Sequence, residues 1–294
     1  MQLITTLDKI EEISKLASIV DAVLVANKDY TMRYINVFSK DQIKLINDEC
    51  ETSNLQVYVN VNRFFMEEEL DDLTKFLFYL DSIKISGVYY TDLCVFTIVK
   101  ENKLNLKLVY NPETLITNSC DANAYKELGN ERIVLAKELS LEEIINIINN
   151  CSNTEVLIHG HLNMMDSKRE LLSYYKEFTS IENEVKFNPN LTIVEEKRNS
   201  KMPIYEDQFG THVFTSYLLN SFRELEKLTN LSYARIDSVF MDQEEKYLVL
   251  KLYNKLSKGL ISGEDAYNYF IEHSKYEYDS AFYYSKTILK KEGV

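Results

Sequence analysis

Glu155-Val-Leu-Ile-His-Gly-His-Leu-Asn-Met-Met-Asp-Ser-Lys-Arg-Glu-Leu-Leu-Ser173 is the stretch whose reading decides the fold. Residues 156–158 read as a buried strand that breaks at Gly160, between His159 and His161. A helical pattern resumes over 167–175. A strand that hands over to polar residues at its carboxyl end is where α/β proteins place their chemistry. Two of the four histidines sit here, without a cysteine, a Gly-rich cradle or a His-Glu-x-x-His spacing.

Outward from this stretch, short apolar runs alternate with helical patterns. Strands are predicted over 2–5, 22–26, 56–60, 88–90, 106–110, 132–136 and 156–158, with an eighth over 234–239. The helices between them span 7–18, a stretch after Phe38, then 67–80, 92–100, 119–128 and 141–149. Ser39-Lys-Asp-Gln42 and Ser140-Leu-Glu-Glu143 are capping boxes, in which two orphan amides find side-chain acceptors. Alternation with crossovers of this length implies parallel strands. Eight units point to a (β/α)8, TIM-like barrel rather than an open sheet, and no Gly fingerprint follows strand one.

The expected organisation is a barrel over 1–240 with an insertion at 166–230, then a C-terminal helical segment over 241–294. Within the insertion the pattern suggests a helix over 167–176, strands over 184–187, 191–195 and 202–205, and a helix over 217–228. Tyr-rich helices are expected over 243–258 and 262–291, capping the barrel or docking on a partner.

The chain has 294 residues and a formal net charge of −13, so it can bury a full core and repels phosphate backbones. Lys168-Arg169 and Lys197-Arg198 with Lys201 read as solvated charge in preference to RNA contacts. Cys50, Cys94, Cys120 and Cys151 match no metal or redox spacing and read as reduced thiols. The acidic, amphipathic start is neither a signal nor a transit peptide, and no apolar run could span a bilayer. A cytoplasmic protein without membrane contact is expected.

In a barrel the strand ends converge on one mouth. Those ends supply Asn60, Asn62, Thr91, Asp92, Asn111, Glu113, Lys137, Glu138, His159, His161 and Asp237. His159, His161, Glu138 and Asp237 are the candidate catalytic groups, and Lys137, Asn60, Asn62 and Glu113 the candidate substrate contacts. Polar mouths are common whether or not they work, so His159 reads as a hydrogen-bonded structural residue in preference to a catalytic one, and His161 reads equally as either. Glu155, at the opposite end of its strand, reads as structural.

Several blocks in order resemble the U-32 peptidase family, the collagenase-like peptidases. They are Val57-Tyr-Val-Asn-Val-Asn62, then Thr117-Asn-Ser119 with Leu128-Gly129 and Ile133-Val-Leu-Ala-Lys-Glu-Leu-Ser140. Ile158-His-Gly160, Pro203-Ile-Tyr-Glu-Asp207 with Gly210-Thr211, and Ala234-Arg-Ile-Asp237 complete the set. Iron–sulfur members of that family carry cysteines at positions that are here Asn163, Glu170 and Asn220, so the resemblance implies no cluster in this chain. The family's arginine after strand eight is also missing, and Lys137 replaces a common arginine, keeping the charge without the fork.

Ser167-Lys-Arg169 and the short length look most like the small member of a pair that hydroxylates the wobble uridine of tRNA. The resemblance thus implies a cluster-free helper in a heterodimer with a larger, cluster-bearing paralogue, reaching tRNA only through it. Two other readings stay open: a metal-dependent peptidase at the mouth, and a barrel that binds a small acid through Lys137.

Overall fold

The computed structural model describes residues 1–180, 182–194, 196 and 200–285. Eight short strands form its centre: β1 (Gln2–Thr6), β2 (Ala22–Ala26), β3 (Gln56–Val61), β4 (Gly87–Tyr90), β5 (Leu108–Tyr110), β6 (Arg132–Val134), β7 (Thr154–Ser167) and, after the insertion, β11 (Tyr233–Ile236). Neighbours from β1 to β7 pair in parallel. β11 closes the ring, with Tyr233 opposite Gln2 on one side and Glu155 on the other. The fold is a closed, parallel, TIM-like α/β barrel.

The helices α1 (Ile13–Leu16), α2 (Lys40–Thr52), α3 (Leu70–Ser82), α4 (Leu93–Glu101), α5 (Ser119–Glu127) and α6 (Leu141–Asn150) follow successive strands. Their starts are local: Ser39 and Ser140 each accept from the third helical amide while Gln42 and Glu143 reach back. Their apolar stripes, such as Leu73, Phe76, Leu77 and Leu80 of α3, bury against the outward side chains of the strands.

Inside the ring, Ile4, Leu24, Val109 and Val134 pack with Tyr58 and Tyr89. Below them lies a fully buried charged floor. Arg132 donates to Glu155 Oε2 at 2.9 Å, to the Tyr89 hydroxyl at 2.8 Å and to the Tyr58 hydroxyl at 2.7 Å. Glu155 Oε1 faces Arg235 Nε at 3.0 Å, so one carboxylate serves two guanidinium groups. The structural role expected for Glu155 fits this position.

The insertion departs from the sequence expectation. β7 does not stop at Gly160 but runs on to Ser167, because β10 (Gly210–Asn220) pairs with it antiparallel, Leu219 opposite Gly160 and Thr211 opposite Ser167. The helix expected over 217–228 is therefore the end of β10 followed by a single turn, Leu225–Lys227. β9 (Lys201–Asp207) and β8 (Thr192–Val194) extend the ribbon, whereas 184–187 offers only a bridge from Lys186 to Glu206. The helix α7 begins at Leu171 (Leu171–Thr179) rather than at 167.

α8 (Gln243–Ser257) and α9 (Gly263–His273) pack on the barrel exterior, followed by a two-residue strand β12 (Tyr278–Asp279) beside β10. The helix expected to reach 291 ends at His273, and 286–294, like Lys197-Arg198, lie outside the described residues. Among the described residues no helix is long and apolar enough to cross a membrane.

Candidate functional site at the barrel mouth

The carboxyl ends of the barrel strands bring Asn60, Asn62, Asn111, Glu113, Lys137, His161 and Asp237 to one mouth. The chain itself fills most of that space. About 30 Å³ remains among these side chains, room for about one water, and a cavity of about 300 Å³ lies beside them at the ends of β1 and β11, lined by Thr6, Asp8, Tyr34 and Ser238. The filling comes from the segment after β2, residues 27–38, which folds back over the mouth. Asn27 holds its two ends together through the Phe38 carbonyl at 2.9 Å, and the Thr31 hydroxyl donates to the Asn60 carbonyl. Asn62 receives the Met32 amide at 3.0 Å.

This fold-back delivers Arg33, in the left-handed region at φ 75° and nearly buried. Its guanidinium donates to Glu113 Oε1 at 2.9 Å, to Asn163 Oδ1 at 2.8 Å and to Asp166 Oδ2 at 3.2 Å, while its amide donates to Asp207 at 2.8 Å. Lys137 Nζ holds the other Glu113 oxygen at 3.2 Å. Burial alone would raise the Glu113 carboxyl pKa. The charges of Arg33, Lys137 and Arg235 overcome it and hold the carboxyl far below its usual range. Glu113 is a fixed counter-ion, unsuited to taking up a proton.

The two histidines of the opening stretch part company. A register shift between Arg235 and Ile236, opposite Leu157 and His159, together with Gly160 at φ 133°, changes which side of β7 faces inward. His161 reaches the mouth, where Nδ1–H donates to the Thr215 carbonyl at 2.7 Å. Burial lowers its pKa, which favours the neutral ring. His159 turns outward and is fully buried among Phe222, Tyr253 and Phe270. Burial, aided by His161, pushes it down to about 3. Glu138 is exposed and does not line the mouth, and Asp92 caps α4 through the Cys94 amide at 3.1 Å. The four candidate catalytic groups therefore do not converge; only His161 and Asp237 share the site. Asp237 is itself engaged, by the Thr6 hydroxyl at 3.2 Å, the Tyr34 hydroxyl at 3.4 Å and Arg235 at 3.7 Å.

Sequence reasoning missed Arg33, Asp166, Asp207, His212 and Arg235. His212 on β10 sits 2.6 Å from Asp166 and 3.3 Å from Asp207. Burial would lower its pKa, but hydrogen bonds and charge from the two aspartates raise it. Burial raises and His212 and Arg33 together lower Asp166, with a net fall. These ion pairs clamp the insertion ribbon onto the plugged mouth.

The positions that would carry cluster thiolates do not suit an iron–sulfur centre. Asn163 is engaged with Arg33, Glu170 pairs with Lys186 at the start of α7, and Asn220 accepts the Phe222 amide at 3.0 Å. Amide and carboxylate oxygens do not replace thiolates at such a centre. The cysteines sit on or after the outer helices, with Cys50 and Cys94 pushed up to about 12, chiefly by burial. Among the described residues no group of three His, Cys, Asp or Glu could hold a metal ion.

A model of peptidase family U32 matches residues 8–291. The chain is 28% identical to "tRNA hydroxylation protein P2" of Bacillus subtilis over 253 residues, 84% of this chain and 82% of that protein. "tRNA hydroxylation protein P1" of the same organism matches at 25% over 52% of this chain and 37% of its own length. "tRNA hydroxylation protein P" of Haemophilus influenzae matches at 28%, over 53% and 34%. The chain thus covers little more than a third of those two longer relatives. Among solved structures, the U32 peptidase Mk0906 aligns with a TM-score of 0.52 at 13% identity, over 81% of this chain and 92% of that one, which bears on the fold alone.

Proposed function

The chain belongs to peptidase family U32, and from that premise we propose that it serves tRNA hydroxylation as a cluster-free, non-catalytic subunit of a larger U32 paralogue. The single observation that carries the reading is the occupied mouth. Arg33 and its carboxylate partners fill the centre of the mouth, where about 30 Å³ is left among Glu113, Lys137, His161 and Asp237. Acid–base catalysis needs a group poised to gain or lose a proton beside open space. Here Glu113 is held ionised, His161 is held neutral with its Nδ1–H engaged, and Asp237 has three partners.

Similarity across 84% of the chain to a protein named for tRNA hydroxylation supports the process, and the residues at the cluster positions support the helper role. The net charge of −13 supports contact with tRNA through the partner rather than directly. A peptidase at this mouth would require Arg33 to leave it and His161 and Asp237 to be freed.

The test is deletion of the gene, with mass spectrometry of the wobble uridine in total tRNA. Loss of the hydroxylated nucleoside, restored by wild type and equally by Lys137→Met and His161→Gln, is the expected result. Wild-type levels of the nucleoside in the deletion strain would refute a part in hydroxylation. Failure of both folded variants to restore it would return the chemistry to this mouth.

A further inference from the structure

The helices α2 to α6 around the barrel run 9–13 residues, whereas α1 is a single turn of four. Its neighbour in the ring is α8, since β11 and β1 pair. α8 is tied to the connection between β1 and β2 at two heights. The Tyr247 hydroxyl donates to Glu12 Oε2 at 3.2 Å, and the Asn254 side-chain amide donates to the Ile19 carbonyl at 2.6 Å. The short α1 leaves the outer face of α8 uncovered, and a cavity of about 760 Å³ opens there, between α1 and α9. Ligand sites commonly measure about 300–1,000 Å³. The function proposed above makes no use of this cavity.

Tyr247, Leu248 and Leu252 form its floor, and Ile261 and Tyr269 its far wall. Three lysines stand at its edge. Lys15 Nζ leans inward to 3.1 Å from the centroid of the Tyr247 ring, and Lys251 and Lys255 follow one turn apart on α8. No ion pair engages any of the three among the described residues. Two acids share the lining, and each is matched by a helix N-terminus. Asp265 accepts the Ser262 hydroxyl at 2.7 Å in the first turn of α9, and Glu244 lies in the first turn of α8. Lys255, in the last turn of α8, answers the opposite end of that dipole in the same way. Lys15 and Lys251 are the charges left over, so the groove favours an anion.

The lining also restricts the body of that anion. Gln243 turns its amide to Asp8 at 3.3 Å, and the Tyr247 hydroxyl is spent on Glu12. A sugar or a base edge would find few partners left. The lining instead follows α8 from 243 to 255, about 18 Å at 1.5 Å per residue, which suits a long, narrow apolar chain. We propose that this groove binds a linear alkyl carboxylate of the fatty-acid class, its chain along Tyr247, Leu248, Leu252 and Ile261 and its head group between Lys15 and Lys251.

The test is calorimetric titration of the purified chain with dodecanoate below its micellar concentration. One equivalent binds, and dodecyltrimethylammonium, with the same chain and the opposite charge, does not. Lys251→Glu sets a carboxylate against the head group and weakens binding at least about tenfold at an unchanged melting temperature. Lys15→Glu does the same, while the charge-matched Lys44→Glu, exposed on α2, binds as wild type. No binding of dodecanoate, wild-type affinity in both groove variants, or equal binding of the two amphiphiles overturns the proposal. Many equivalents per chain mark detergent-like association and overturn it too. Binding to phosphatidylglycerol vesicles without binding to dodecanoate assigns the groove to a membrane surface and overturns it as well.

Discussion

Replacing Glu155 by Gln keeps the shape of the barrel floor and removes the carboxylate that Arg132 and Arg235 share. The carboxylate is fully buried, with Arg132 at 2.9 Å from one oxygen and Arg235 at 3.0 Å from the other. A glutamine offers one acceptor oxygen in place of two, and its amide group must face a guanidinium. Arg132 is left without a counter-charge and Arg235 keeps only Asp237 at 3.7 Å, which costs about 3–5 kcal/mol. With an unfolding entropy of about 2.1 cal/mol/K per residue over 294 residues, the melting temperature should fall by about 5–8 °C. Differential scanning calorimetry reads this directly. Adding Arg132→Met removes one stranded cation, so the double variant should lose less than the sum of the single losses, by about 0.5–3 kcal/mol. A fall under about 2 °C in Glu155→Gln, or strict additivity, would refute the reasoning that ion pairing holds the floor.

Arg33→Ala leaves Glu113 with Lys137 alone and Asp166 with His212 alone, and should cost up to about 3 kcal/mol. It should also speed amide exchange across 27–38, which hydrogen-exchange mass spectrometry would locate. His212 has a raised folded pKa, so its stabilisation is complete below about 6.5 and fades as pH rises through that raised value. Asp166 and Asp207 are lowered, so theirs is present above about 3.9 and lost as pH falls through the lowered values. Melting temperature should therefore decline on the alkaline side, and His212→Gln should abolish that limb. Gly160→Ala would place a Cβ 2.6 Å from the Asp237 carbonyl at φ 133°, and should cost at least about 2 kcal/mol in chemical denaturation.

The barrel was legible because its signals are local. Capping at Ser39 and Ser140 is decided within four residues, and strand–helix alternation within a dozen. The ribbon was not, because residues 217–220 take their strand form from β7, some sixty residues earlier in the chain. Leu218, Phe222 and Leu225 match helical spacing, and long-range pairing overrode it. At the mouth, strand ends gave Asn60, Asn62, Glu113, Lys137, His161 and Asp237. They could not give Arg33, which lies in an aperiodic loop and finds partners 80 to 133 residues away. Nor could they place His159, since a register shift and a left-handed glycine leave no signature in the alternation of β7.

The most direct measurement co-expresses the tagged chain with the larger U32 paralogue of its genome, then determines subunit ratio by native mass spectrometry and iron by elemental analysis. The account predicts a stoichiometric complex whose iron resides on the larger chain, and no iron or zinc on the 34.4 kDa chain purified alone. Metal held stoichiometrically by the lone chain, or no complex between the two, would contradict it.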